Sequence, residues 1–147
     1  MPRSRPIAET LRTAALPLLA RLLATAELWF AVRGKIFGWQ SQIDYMTRKG
    51  MHFVTPLLAA ALAIEALGSA CLVLGVRTRI AASVLFVYLG IVSVRLHAFW
   101  FQSGDIASAN AGEFFKNLGM MSGLLLLALH GGGRWAITRD GRTSEIP

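Results

Sequence analysis

At 147 residues, 54% hydrophobic and only 16% charged, with a mean hydropathy of +0.52, the chain carries too little polar surface for a soluble monomer. Its formal charge of +7 and pI near 10.8 would suit a nucleic-acid binder. The basic residues stand beside apolar runs instead of covering one polar face, which excludes that class and points to an all-α integral membrane protein.

The single cysteine, Cys71, leaves no internal disulfide, CxxC redox pair or multi-cysteine zinc site. Within an apolar run it reads as a small hydrophobe. Met1 to Glu9 is polar, and the apolar run that follows carries Arg21 and Glu27. No cleavable signal peptide is therefore expected, and the first helix stays as an anchor.

Residues 1–13, with Arg3, Arg5 and Arg12, read as a cytoplasmic tail. A first span is expected over about 14–37. There Arg21 is placed to snorkel to one face and Arg33 and Lys35 to the other, while Glu27 has no such exit. Gly38 to His52 reads as a polar loop with Trp39 and Tyr45 as interfacial anchors.

A second span over about 53–74 is long enough for a hydrocarbon core of ~30 Å. It carries Glu65 near its middle. A carboxylate at that depth costs a few kcal/mol and needs a partner, a proton or a water-filled cavity. Gly75 ends the helix before the basic turn Arg77–Arg79.

A third span over about 80–101 ends in His97, Phe99, Trp100 and Phe101. A fourth over about 114–130 starts with Lys116 and Asn117 and stops at Gly131, leaving residues 131–147 as a second cytoplasmic tail. The excess of arginine in both tails and in the Arg77/Arg79 turn places all three in the cytoplasm.

Short connections make neighbouring spans antiparallel, so the expected architecture is a membrane four-helix bundle. Ala61, Glu65, Gly68 and Ser69 share one face by i+3/i+4 spacing, a small-residue stripe suited to helix contact. Gly119 and Gly123 form a GxxxG pair, read as packing within the bundle in preference to a dimer contact, and a homo-oligomer stays open. Arg95 and His97 point about 160° apart. The small residues Gly90 and Ser93 favour His97 as the inward one and leave Arg95 for the headgroups. Glu65 and Glu27 lie roughly 18 and 15 Å below the outer ends of their helices. The expected result is a polar funnel in the outer half with the two acids at its floor.

The ordered set Gly34-Lys35, Glu65, Leu74-Gly75-Val76-Arg77-Thr78-Arg79, His97-Ala98-Phe99 and Lys116-Asn117-Leu118 resembles the DoxX family of small four-span bacterial membrane proteins. The resemblance covers about Arg21 to Trp135. It implies a quinone-linked redox role, with quinone as ligand, as a membrane subunit beside a soluble or membrane redox partner, and a link to oxidative stress. Other relatives imply a non-catalytic, chaperone-like scaffold.

No metal, flavin or haem signature stands in the chain. On the quinone reading Glu65 and Glu27 are the candidate catalytic proton carriers. His97, Arg95, Lys116, Asn117 and Lys35 line the site, with Phe99 and Trp100 forming part of an apolar slot.

Overall fold

The computed structural model describes residues 7–138. Five helices run in chain order: α1 (Ile7–Phe37), α2 (Trp39–Arg48), α3 (Val54–Leu74), α4 (Thr78–Leu96) and α5 (Gly104–His130), with a 3-10 turn at Phe99–Phe101 before α5. The four long helices close a ring in which α1 packs on α3, α3 on α4, α4 on α5 and α5 back on α1.

Three stretches, Ile7–Phe37, Val54–Leu74 and Thr78–Phe101, are long and apolar enough to cross a membrane. Large apolar side chains such as Leu23, Leu67, Val87 and Leu126 face outward on all four helices. The main buried apolar cluster is small and centres on Leu28, Leu72, Leu85 and Leu124, against which Cys71 packs. A soluble bundle would bury the first set; a membrane bundle presents it to lipid.

Among the described residues helix α1 starts at Ile7, so residues 7–13 are helical and continuous with the first span. Its second turn, Leu11–Ala15, is π-helical, with Leu16 N–H donating to Leu11 O. The cause is Pro17, which has no N–H for the carbonyl four residues back and whose ring crowds it. That carbonyl, Thr13 O, accepts instead from Arg134 N–H at 2.8 Å.

The segment after Gly131 is accordingly a docked strap up to Thr138, where the sequence suggested a free tail. Ile137 N–H donates to Leu74 O (3.3 Å), Thr138 N–H to Gly75 O (3.1 Å) and Arg77 N–H to Thr138 Oγ1 (2.6 Å). Arg139 and Arg142, like Arg3 and Arg5, lie outside the described residues.

Arg21 does not snorkel. It is 1% exposed beneath the strap, with Nη2 donating to Trp135 O at 3.4 Å. The C-terminal ends of α3 and α5 converge on this region, and their partial negative charge favours a cation there. Gly75 closes α3 in the left-handed region (φ +72), with Val76 N–H donating to Cys71 O at 2.8 Å. This is the Schellman arrangement.

Two further boundaries differ from the sequence reading. Residues 39–48 are helical because Trp39, Ile43 and Met46 recur at i, i+4 and i+7, and Met46 is buried. The expected loop before the last span is helical from Gly104, which lengthens α5 by ten residues. Of the GxxxG pair, Gly119 has open space around its Cα and Gly123 only just meets Ala24. The pair thus makes no tight contact inside the bundle, contrary to expectation.

Candidate functional site

A cavity of about 850 Å³ lies between α1, α3, α4 and α5 and is bordered at one end by α2. It is within the ~300–1,000 Å³ range usual for small-molecule sites. Its walls are mainly apolar, including Leu28, Leu58, Ile64, Leu89 and Met120. Of the small-residue stripe of α3, Ala61 and Glu65 line the cavity, while Gly68 packs on α4. Gly68 admits the Leu85 side chain, so closely that a Cβ there would lie 2.8–3.0 Å from it, and Glu65 comes next along the helix, 3% exposed.

Glu65 meets two partners. Lys35 Nζ from α1 donates to both carboxylate oxygens at 2.8 and 2.9 Å. Tyr88 from α4 donates its hydroxyl to Oε1 at 2.5 Å. The acid that the sequence left without a counter-charge is thus held by an ammonium and a phenol from two different helices. The side chains of Lys35 and Glu65 are 15% and 5% exposed, and all three residues line the cavity.

A second polar group stands on the α1–α5 side. Lys116 Nζ donates to Glu27 Oε1 and to Glu113 Oε2, both at 2.7 Å. Glu27 is not a floor residue as expected. Its side chain is 39% exposed and opens on the same cavity, because the turn of α1 that carries it faces the loosely packed α1–α5 seam.

Asn117 is buried and donates through Nδ2 to Ser93 Oγ at 3.1 Å, while that hydroxyl donates to Leu89 O at 2.7 Å. His97 borders the cavity half-buried. Asn110 Nδ2 donates to Gln102 Oε1 (2.7 Å) and Ile106 O (3.0 Å), so its Oδ1 is the acceptor for His97 Nδ1, 3.2 Å away. The proton then sits on Nδ1, and Nε2 is left as an acceptor.

The choice between Arg95 and His97 resolves as both, since each lines the cavity, with Arg95 on its exposed rim. Phe99 and Trp100 do not contribute a slot. They meet each other edge-on at a centroid distance of 5.3 Å, pack against Phe114 and Phe115 at 5.6–5.9 Å, and lie off the cavity wall. The 3-10 turn that follows Ala98 sets them against the third turn of α5.

Two tyrosines escaped the sequence reading. Tyr88 shares a helix face with the cavity-lining Arg95 by i+7 spacing, and that was the available signal. Tyr45, taken as a membrane anchor, lines the cavity from α2 and donates to Leu96 O at 3.3 Å, with Lys49 5.5 Å over its ring. Burial, aided by the nearby Glu113 carboxylate, pushes the Tyr45 phenol up, so it remains a proton donor.

The fold and cavity define an all-α membrane bundle with buried ionisable groups facing an internal space. Residues 16–98, from α1 through α4, match the sequence profile of the DoxX family. The chain is 32% identical over 126 residues to the inner membrane protein YphA of Escherichia coli K12, covering 83% of this chain and 87% of that one. It is also 32% identical over 123 residues to the inner membrane protein YqjF of the same organism, covering 83% and 88%. The chain belongs to the DoxX family. No solved structure matches it.

Proposed function

We propose that the protein is a multi-pass subunit of the bacterial inner membrane whose cavity takes the head group of a quinone, in the service of a quinone-dependent oxidoreductase. The observation that carries this reading is the Lys35–Glu65–Tyr88 chain set in an otherwise apolar wall. A quinone accepts two electrons and two protons. Its head needs an apolar slot, donors to its oxygens and a way for protons to move. Tyr88 and Lys35 are the donors that border the space. Glu65, hydrogen-bonded to both, holds or passes a proton between them. Glu27 and Lys116 extend the polar lining toward the exposed seam. The electrons come from a redox partner protein, as the family resemblance implies.

The inner-membrane placement rests on the relatives named above. α5 serves as the fourth span through its apolar second half, where Leu125, Leu126 and Leu129 face outward. Both termini lie on the cytoplasmic side with the Arg77/Arg79 turn.

Extraction of the purified chain with organic solvent and chromatography of the extract tests the ligand. Quinone in stoichiometric amount is expected from the wild type and much less from Tyr88→Phe; a quinone-free, folded wild type would remove the reading. A reporter fused to the C-terminus that is active only outside the cytoplasm would reverse the topology.

A second reading has its own support. Lys35 and Glu65 satisfy one another without any ligand, as a clamp in a non-catalytic scaffold for a redox or stress-response partner would. Under that reading Glu65→Gln lowers stability and quinone is absent.

A further inference from the structure

Each acid of the cavity has a lysine beside it, Glu65 with Lys35, and Glu27 and Glu113 sharing Lys116. Arg95 is the cavity cation left over, with no acidic partner among the described residues, and it stands on the exposed rim. Its surroundings there are apolar. α3 and α4 touch at Gly68 and Leu85 and are parted further along by the cavity. Leu57 and Ala60 border the space on α3, and Ile91 and Arg95 border it on α4. All four are exposed while lining the cavity, which marks them as the two lips of a lateral mouth between these helices.

Because Leu57 and Ile91 belong to the outward, lipid-facing surface of the bundle, the mouth opens sideways. A ligand using it arrives from the bilayer with an apolar tail against Leu57, Ala60 and Ile91. Its head then meets a guanidinium with which no carboxylate forms an ion pair among the described residues. Arginine in a partly desolvated setting binds carboxylate or phosphate through paired, charge-assisted hydrogen bonds. We infer that the α3–α4 mouth is a binding site for an anionic amphiphile, a single-chain carboxylate or phosphate monoester, with Arg95 as its head-group residue.

The inference stands apart from the quinone reading, because a quinone head is uncharged and its proposed contacts are Lys35, Glu65 and Tyr88. The test uses the full chain in a neutral maltoside detergent, titrated calorimetrically with decyl phosphate, decanol and inorganic phosphate. The wild type is expected to bind decyl phosphate at least about tenfold more tightly than decanol, a single charge-assisted contact being worth that much. Arg95→Gln should abolish the preference and leave decanol binding unchanged, and Arg95→Lys should keep part of it. Ile91→Trp, which fills one lip, should weaken both decyl compounds alike. Arg95 is exposed, so its variants are expected to keep the wild-type unfolding midpoint. The inference is overturned if the wild type shows no preference, or if Arg95→Gln retains it. Inorganic phosphate competing as well as decyl phosphate, or an Ile91→Trp variant that binds normally, would also overturn it, leaving a bare anion contact in place of an amphiphile site.

Discussion

Lys35 and Glu65 face each other across the α1–α3 interface with the ammonium shared between both carboxylate oxygens, and Tyr88 completes the shell from α4. One acid thereby joins three of the four long helices. Removing one member of a buried pair leaves the other uncompensated, at about 3–5 kcal/mol. Glu65→Gln and Lys35→Met are each expected to lower stability by that order, and the combined apolar replacement Lys35→Met/Glu65→Leu to recover most of it. Denaturant unfolding in detergent measures the cycle. If Glu65 acts chiefly as a proton carrier, Glu65→Gln instead loses activity at near wild-type stability; a variant unchanged in both would refute both roles.

Glu27 invites the opposite expectation. Its side chain and that of Lys116 are each 39% exposed, and Glu113 remains with Lys116 when Glu27 is removed. Pairs at that exposure contribute about 0–1 kcal/mol. Glu27→Gln should leave the unfolding midpoint within that margin, several-fold less than the Glu65 substitution in the same assay.

The strap gives a third expectation. A Cβ on Gly132 would collide with Thr78 Oγ1 and come within 2.9 Å of Ala136 Cβ, and one on Gly133 would come 2.5 Å from Pro17 Cβ. Gly133 also has φ +76. Gly132→Ala and Gly133→Ala should each cost about 1–3 kcal/mol through overpacking. Ending the chain at His130 removes the partners of Thr13 O, Gly75 O and Arg77 N–H, and should lower the thermal midpoint further. A truncated protein as stable as the full chain would show that the strap does not hold the bundle.

His97 and Asn117 border one cavity but are tied to different neighbours, His97 to Asn110 and Asn117 to Ser93. Cysteines at both positions in a Cys71→Ala background should cross-link with a flexible bifunctional reagent. Decyl phosphate or a quinone bound in the cavity should slow the reaction. Absence of cross-linking in a folded protein would separate the two residues and argue against a shared site.

The sequence by itself determined that the chain is a helical membrane protein. Long apolar runs allow nothing else in lipid, where backbone groups must be satisfied within the segment. It also determined that Glu65 must have a partner, since an isolated carboxylate inside such a run is too costly. Its i+3/i+4 spacing to Gly68 and Ser69 put it on the packing face. Which group answers Glu65 was a tertiary matter. Lys35 lies thirty residues away and was read as running out to the membrane surface, and Tyr88 comes from a third helix. The packing of α1 and α4 on α3 decided the choice, because the same length of lysine that can snorkel can also turn inward when a carboxylate waits there. The strap was equally hidden. Pro17 announces a free carbonyl at Thr13, but only the folded bundle brings Arg134 to it, over a glycine-lined path that admits no side chain.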